Sequence, residues 1–136
     1  MIGLDTNVLV RYIVQDDAEQ SAAATVLIEG GEQAGKTFFI NQIVLCEVVW
    51  VVKRCYSAGR DEIGVLVEQI LRTASFRVQR SEEVWSALHI YRQTSADFAD
   101  CLIASGNRAA NCLETATFDK DAAPTAGFRL VSSSPL

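Results

Sequence analysis

Short apolar segments alternate with longer stretches of helical spacing along this chain, and this alternation constrains the fold more than any other feature. The strand candidates are Met1–Leu4, Thr37–Ile40, Phe76–Val78, Leu113–Thr117 and Phe128–Val131. Strands that alternate with helices are typical of a parallel sheet with helices on both faces. The sequence therefore predicts an α/β fold.

Six stretches carry helical signals. The first begins after Asp5-Thr6-Asn7. The second begins at a capping box of Asp17 and Gln20 and is predicted to end at Gly30-Gly31. The other four are Ile43–Tyr56, Asp61–Thr73, a helix that begins at Ser81, and Asp97–Arg108. The valines of Ile43–Tyr56 favour a strand by propensity, but a length of about fourteen residues favours a helix. A helix that is apolar nearly all round is expected to be buried.

The composition predicts one globular domain over residues 1–136. The chain is 49% hydrophobic, and its apolar runs are far shorter than the roughly 20 residues that cross a membrane. Its start, Met1-Ile2-Gly3-Leu4-Asp5, lacks the basic and long apolar regions of a secretory signal. We therefore expect a cytoplasmic protein with no membrane partner.

The charge balance points to one acidic cluster. Twelve Lys and Arg face seventeen Asp and Glu, which argues against a polycationic coat for nucleic acid. Five acids form the candidate cluster: Asp5, Glu47, Asp97, Asp100 and Asp119. Without them the remaining acids and bases balance. Like charges gathered in one site are costly unless a cation is present, so the cluster suggests a divalent metal.

Position supports the same interpretation. Asp5 and Asp119 end predicted strands, where ligands bind in open α/β sheets. Asp97 and Asp100 share one face of a helix. Glu47 is the one charged residue in the apolar stretch 43–52, and a buried carboxylate without a partner is costly. Asp5, Glu47, Asp100 and Asp119 each follow or interrupt an apolar segment and are therefore expected near the core. The alternative is structural: Asp5 and Asp97 also suit helix caps, and Asp119 suits a turn.

The donor types indicate which metal the cluster would take. Oxygen ligands without histidine or a thiolate pair suit Mg²⁺ or Mn²⁺. Such ions activate a water and stabilise the leaving oxygen of a phosphodiester. Asn7 and Thr117 lie beside two of the acids and are expected to orient a carboxylate or a metal-bound water.

Other kinds of site fit the sequence less well. Cys46, Cys55, Cys101 and Cys112 lack zinc-binding spacing and are predicted to be small buried hydrophobes, and the lone His89 is predicted to face solvent or pack. A haloacid-dehalogenase-type phosphatase needs a second aspartate where this chain has Asn7. A receiver domain needs an acid pair after its first strand, where this chain has the single acid Asp5. A nucleotide-binding site of the dinucleotide or Walker type needs a glycine-rich phosphate loop, which the sequence lacks.

Four segments together resemble PIN-domain ribonucleases, and more narrowly the VapC toxins of bacterial type II toxin–antitoxin systems. They are Ile2-Gly3-Leu4-Asp5-Thr6-Asn7-Val8-Leu9, Glu47 within its apolar helix, Asp97-Phe98-Ala99-Asp100-Cys101-Leu102-Ile103-Ala104, and Thr117-Phe118-Asp119. The resemblance implies a three-layer α/β/α domain around a parallel sheet. It also implies RNA hydrolysis with Mg²⁺ or Mn²⁺ held by Asp5, Glu47, Asp100 and Asp119, with Asp97 an acid present in many such toxins.

The resemblance further implies partners. These are a homodimer, a cognate VapB-type antitoxin that covers the site, and promoter DNA bound only through the antitoxin. RNA phosphates need a basic rim, for which Arg11, Lys53, Arg54 and Arg60 are candidates, although each also suits a solvated surface. Two alternatives remain open: a PIN-like nuclease that acts on DNA or in RNA processing, and a catalytically silent module that binds RNA or a protein.

Overall fold

The computed structural model describes residues 1–125 and 127–132, and the chain divides into two compact units, Met1–Ser81 and Glu82–Leu136. The first unit contains β1 (Ile2–Gly3), α1 (Thr6–Val14), α2 (Ala18–Gln33), β2 (Phe38–Ile40), α3 (Gln42–Cys55), α4 (Arg60–Arg72) and β3 (Phe76–Val78). At the boundary α5 (Ser81–Gln93) begins, and α6 (Phe98–Ala109), β4 (Thr115–Thr117) and β5 (Phe128–Leu130) follow. That residues 1–136 form a single domain stays a prediction.

The three strands of the first unit form a parallel sheet in the order β1-β2-β3. Ile2 lies opposite Phe38, and Phe38 lies opposite Phe76. Phe38 and Ile40 of the central strand are fully buried. Helix α1 packs against α2 and α3, and α4 packs against β3. The predicted parallel pairing and α/β class are therefore confirmed in this unit.

The second unit pairs β4 and β5, also in parallel, with Thr115 opposite Phe128. Its core includes an edge-to-face contact between Tyr91 of α5 and Phe98 of α6, whose ring centroids lie 5.9 Å apart. Leu88 of α5 is also buried. Two helices followed by two strands occur here in the order that the sequence predicts.

Helix α3 resolves the conflict in the valine-rich segment in favour of a helix. It begins at Asn41, whose side chain caps it by accepting a hydrogen bond from the Val44 amide at 2.8 Å. The expectation that this helix is buried all round is wrong. Ile43 is 71% exposed and Trp50 is 59% exposed. A helix that packs on one side only buries that face, and apolar side chains on its other faces stay exposed.

The prediction that α2 ends at Gly30-Gly31 is wrong, because the helix continues to Gln33. Gly31 is buried, and a β-carbon built there would come within 2.5 Å of Cζ of Phe38. This glycine allows close packing of the helix on the sheet. The left-handed backbone that follows the helix is at Gly35, with a φ of +74°.

The cysteine prediction is wrong for three of the four residues. Cys101 is buried, but Cys46 is half-buried, and Cys55 and Cys112 are exposed. Cys55 lies in the last turn of α3 and Cys112 in the turn after α6, where the chain leaves the core. His89 is exposed, in agreement with a solvent-facing position. Within the described ranges, none of the helices combines the length and the apolar character needed to cross a bilayer.

Candidate functional site

Asp5 lies at the carboxyl end of β1, as predicted. The Leu4 amide still donates to the Phe39 carbonyl at 3.0 Å, so strand pairing continues up to the residue before Asp5. Asp5 then takes the N-cap position of α1, where its Oδ1 accepts a hydrogen bond from the Thr6 amide at 2.8 Å. The cap role and a place at the sheet edge are therefore combined in one side chain, which is exposed.

Thr6 connects Asp5 to Glu47. Its Oγ1 donates a hydrogen bond to Oε2 of Glu47 at 3.1 Å, across 41 positions of the sequence. Thr6 itself is only 6% exposed, which restrains the geometry of this contact. Thr6 is not among the site residues predicted from the sequence. Its position between Asp5 and Asn7 at the start of a helix is the signal that marks it.

The expectation that the acids lie near the core is wrong for most of them. Asp5, Glu47 and Asp119 are exposed, and Asp100 is half-buried. Hydration of an ionised carboxylate is lost in an apolar interior, so these groups lie at the surface of their elements. Glu47 meets this requirement because the face of α3 that carries it is open, despite the surrounding valines.

Asp100 is crowded by like charges. It lies in the first turn of α6, for which Asp97 is the N-cap residue without a side-chain capping bond. Burial raises the pKa of the Asp100 carboxyl, and the carboxylates of Asp119 and Asp97 raise it further. The structure thus brings these acids of the second unit within electrostatic reach of one another.

Asp119 follows β4 in a tight turn. Its amide donates to Oγ1 of Thr117 at 3.0 Å, and its Oδ1 accepts from the Asp121 amide at 2.8 Å. Thr117 therefore contacts the backbone of Asp119 rather than its carboxylate. Asp119 is therefore a turn residue, which was the alternative to a metal ligand. These bonds do not involve its Oδ2.

The donor chemistry fits a hard divalent cation. The carboxylate oxygens of the candidate acids are the ligands that Mg²⁺ and Mn²⁺ prefer, and a cation would relieve the repulsion around Asp100. Among residues 1–125 and 127–132, no three or more His, Cys, Asp or Glu side chains form a group positioned to hold a metal ion. The metal-ligand set of Asp5, Glu47, Asp97, Asp100 and Asp119 stays a prediction.

The candidate rim residues differ in their surroundings. Arg11 donates from Nε to Gln20 at 2.8 Å and from Nη1 to Asp16 and Tyr56, each at 3.2 Å. Arg11 and Asn7 both line a groove of about 320 Å³ between α1 and α2.

The other rim candidates are exposed. Lys53 and Arg54 lie in the last turn of α3, and Arg60 lies at the start of α4. The guanidinium of Arg54 lies over the ring of Trp50, at 5.5 Å from its centroid. These cations therefore lie at the surface of their helices.

Comparison with known proteins identifies the family. The profile of the PIN domain matches residues 2–127. A protein named VapC ribonuclease from Aquifex aeolicus (strain VF5) is 28% identical over 99 residues, which cover 73% of each chain. The six helices of the described residues and their parallel strands are consistent with a three-layer PIN fold. The chain belongs to the PIN domain family.

Proposed function

We propose that this chain is a VapC-type toxin, an endoribonuclease that hydrolyses RNA phosphodiester bonds with Mg²⁺ or Mn²⁺. The observation that carries the proposal is the bridge from Asp5 through Thr6 to Glu47, because it joins two candidate ligands at the carboxyl end of a parallel strand. Membership of the PIN family and similarity to a VapC ribonuclease support the reaction class.

Asp5, Glu47, Asp100 and Asp119 are the proposed metal ligands, with Asp97 beside them. When bound, the ion supplies activation of a water and stabilisation of the leaving oxygen. The protein's own contribution is positioning. Thr6 holds Oε2 of Glu47 and leaves Oε1 outside that bond, while the Thr117 hydroxyl anchors the turn that presents Asp119.

The proposed partners follow from the same similarity. We propose an RNA substrate, a cognate VapB-type antitoxin that covers the site, a homodimer, contact with promoter DNA only through the antitoxin, and a cytoplasmic location. Expression of the chain alone should arrest growth, and co-expression of the antitoxin should restore it. Growth arrest that the Asp5→Asn variant produces equally would contradict the toxin assignment.

Cleavage of RNA by purified protein tests the chemistry. With Mg²⁺ or Mn²⁺ the protein should cut single-stranded RNA, and Asp5→Asn should abolish cutting while the fold persists. Asparagine accepts the same capping bond from the Thr6 amide, so this change removes charge without removing the cap. A circular dichroism spectrum that matches the parent protein is the control for folding.

DNA and RNA oligonucleotides of matched sequence separate the alternatives. Cutting of DNA in preference to RNA would assign the same chemistry to another substrate. Absence of cutting on both, with no calorimetric binding of either metal, would indicate a catalytically silent module. RNA cutting that depends on the metal and on Asp5 is the outcome that the proposal requires.

A further inference from the structure

Helix α3 displays one line of exposed side chains beside the candidate ligand Glu47. Ile43, Glu47, Trp50 and Arg54 follow one another at spacings of four, three and four residues and so share a face. The rise of a helix places Trp50 about 4.5 Å and Arg54 about 10.5 Å beyond Glu47 along the axis. This face is the surface that the prediction of a buried helix missed.

Trp50 is the feature that needs explanation. Its side chain is 59% exposed, although tryptophan is usually largely buried because of its apolar area. The Arg54 guanidinium lies 5.5 Å from the centroid of its ring, within the range of a cation–π contact. Within the described part of the chain, no carboxylate pairs with this guanidinium. An exposed aromatic plane with an unneutralised cation beside it matches the chemistry of single-stranded nucleic acid binding.

We propose that Trp50 and Arg54 form a platform for single-stranded RNA, with a base stacked on the indole and a phosphate paired with the guanidinium. The proposal rests on the ribonuclease function proposed above and names how that site would hold its substrate. Stacking tolerates any base, because every base has a π-face. The platform would therefore anchor the strand next to Glu47 without reading its sequence.

The charge pattern of this face favours RNA over a protein partner. The indole is flanked along the helix by Glu47 on one side and Arg54 on the other, both exposed. The buried centre of a protein interface is depleted of charged residues. Lys53 in the same turn adds a second positive charge at the Arg54 end of the helix. A strand running along this face would meet positive charge at that end.

Fluorescence tests the platform directly, since the chain has two tryptophans. Trp85→Phe leaves Trp50 as the only indole reporter. A short single-stranded 2′-O-methyl RNA of mixed sequence, titrated in EDTA, measures binding without cleavage. The platform predicts quenching of Trp50 emission, and an affinity about 5- to 100-fold weaker for Trp50→Ala by fluorescence anisotropy of labelled RNA. Trp50→Phe should restore most of the affinity because it keeps an aromatic face.

Two further variants give matched comparisons. Arg54→Ala should weaken binding and lower the slope of log affinity against log salt by about 0.7, the loss of one phosphate contact on a single strand. Val26→Ala, at an apolar residue of α2 that is 74% exposed, should leave affinity and cleavage unchanged. In cleavage assays with metal, Trp50→Ala should raise KM and leave kcat close to that of the parent.

The outcomes separate this proposal from the function on which it rests. Unquenched Trp50 emission together with equal affinity of Trp50→Ala would overturn the platform, even if RNA is cut normally. A Trp50→Ala protein that elutes as a smaller species, with RNA affinity unchanged, would overturn it in favour of an interface between copies of this chain. Quenching by RNA in a protein that cuts none would support the platform and contradict the ribonuclease.

Discussion

Thr6 donates its hydroxyl hydrogen to Oε2 of Glu47 at 3.1 Å, while its amide donates to Oδ1 of Asp5 at 2.8 Å. One small, buried residue therefore restrains two exposed carboxylates from distant parts of the chain. Loss of a residue that orients a metal ligand typically lowers metal affinity or activity by about 10- to 100-fold. Thr6 is thus a positioning residue of the proposed site.

Thr6→Val keeps the shape of this side chain and removes the hydrogen bond to Glu47. We expect kcat/KM for RNA to fall by about 10- to 100-fold, because Oε2 of Glu47 loses the hydrogen bond from Thr6. Glu47 is exposed, so the free energy of unfolding should change by less than about 1 kcal/mol. Thr6→Ser should recover most of the activity, and equal activity of the Val and Ser variants would contradict the positioning role.

Asp100→Asn should stabilise the metal-free protein at neutral pH while it abolishes cleavage. The raised pKa of Asp100 means that the folded state binds this proton more tightly than the unfolded state. Ionisation therefore costs stability, and the cost appears as the pH rises through the folded pKa and is absent below the unfolded pKa. Solvent screening limits the gain from the substitution to about 0.5 kcal/mol.

Urea unfolding in EDTA at neutral and at acidic pH measures this effect. The difference between Asp100→Asn and the parent should shrink as the pH falls, because the parent carboxyl becomes protonated in both states. Glu29→Gln, at an exposed acid of α2, makes the same change in net charge and serves as the control. A stability difference that does not depend on pH would argue against a charge effect at Asp100.

Added Mg²⁺ or Mn²⁺ should stabilise the folded protein. A ligand that binds only the folded state at a hundred times its Kd adds about 2.7 kcal/mol to the free energy of unfolding. Removal of the metal with EDTA should reverse the effect. The Tm of Asp5→Asn and Asp100→Asn should rise much less when either ion is added. A Tm of the parent protein that neither ion changes would contradict the metal site.

Gly31 and Gly30 provide a matched pair for the packing of α2 on the sheet. Gly31→Ala should destabilise by about 1–3 kcal/mol, because its methyl group would overlap the fully buried ring of Phe38. Gly30→Ala meets nothing within 4 Å and should stabilise by about 0.5–1 kcal/mol through the helix propensity of alanine. Opposite shifts of the urea midpoints would confirm that Gly31 is required for close approach.

Local signals predicted most elements well. The N-cap half of the predicted capping box of α2 is present, with the Gln20 amide 2.8 Å from Oδ1 of Asp17, whereas the Gln20 side-chain oxygen accepts from Arg11. Strand β3 has the predicted bounds Phe76–Val78. Length predicted a helix for the valine-rich α3 against strand propensity. The predicted end of α2 is wrong because the glycine pair was interpreted as a helix stop. The close approach of Phe38, which is distant in sequence, explains why residue 31 is a glycine.

The sequence by itself determined the order of helices and strands, the parallel α/β class and the location of acids at strand ends. These depend on periodicity, caps and turns, which act over a few residues. Only the tertiary structure decided that Thr6 bonds Glu47, that α3 leaves Trp50 exposed and that Asp100 is crowded by Asp97 and Asp119. Burial and charge repulsion depend on which distant segments the folded chain brings together, and a local pattern does not contain that information.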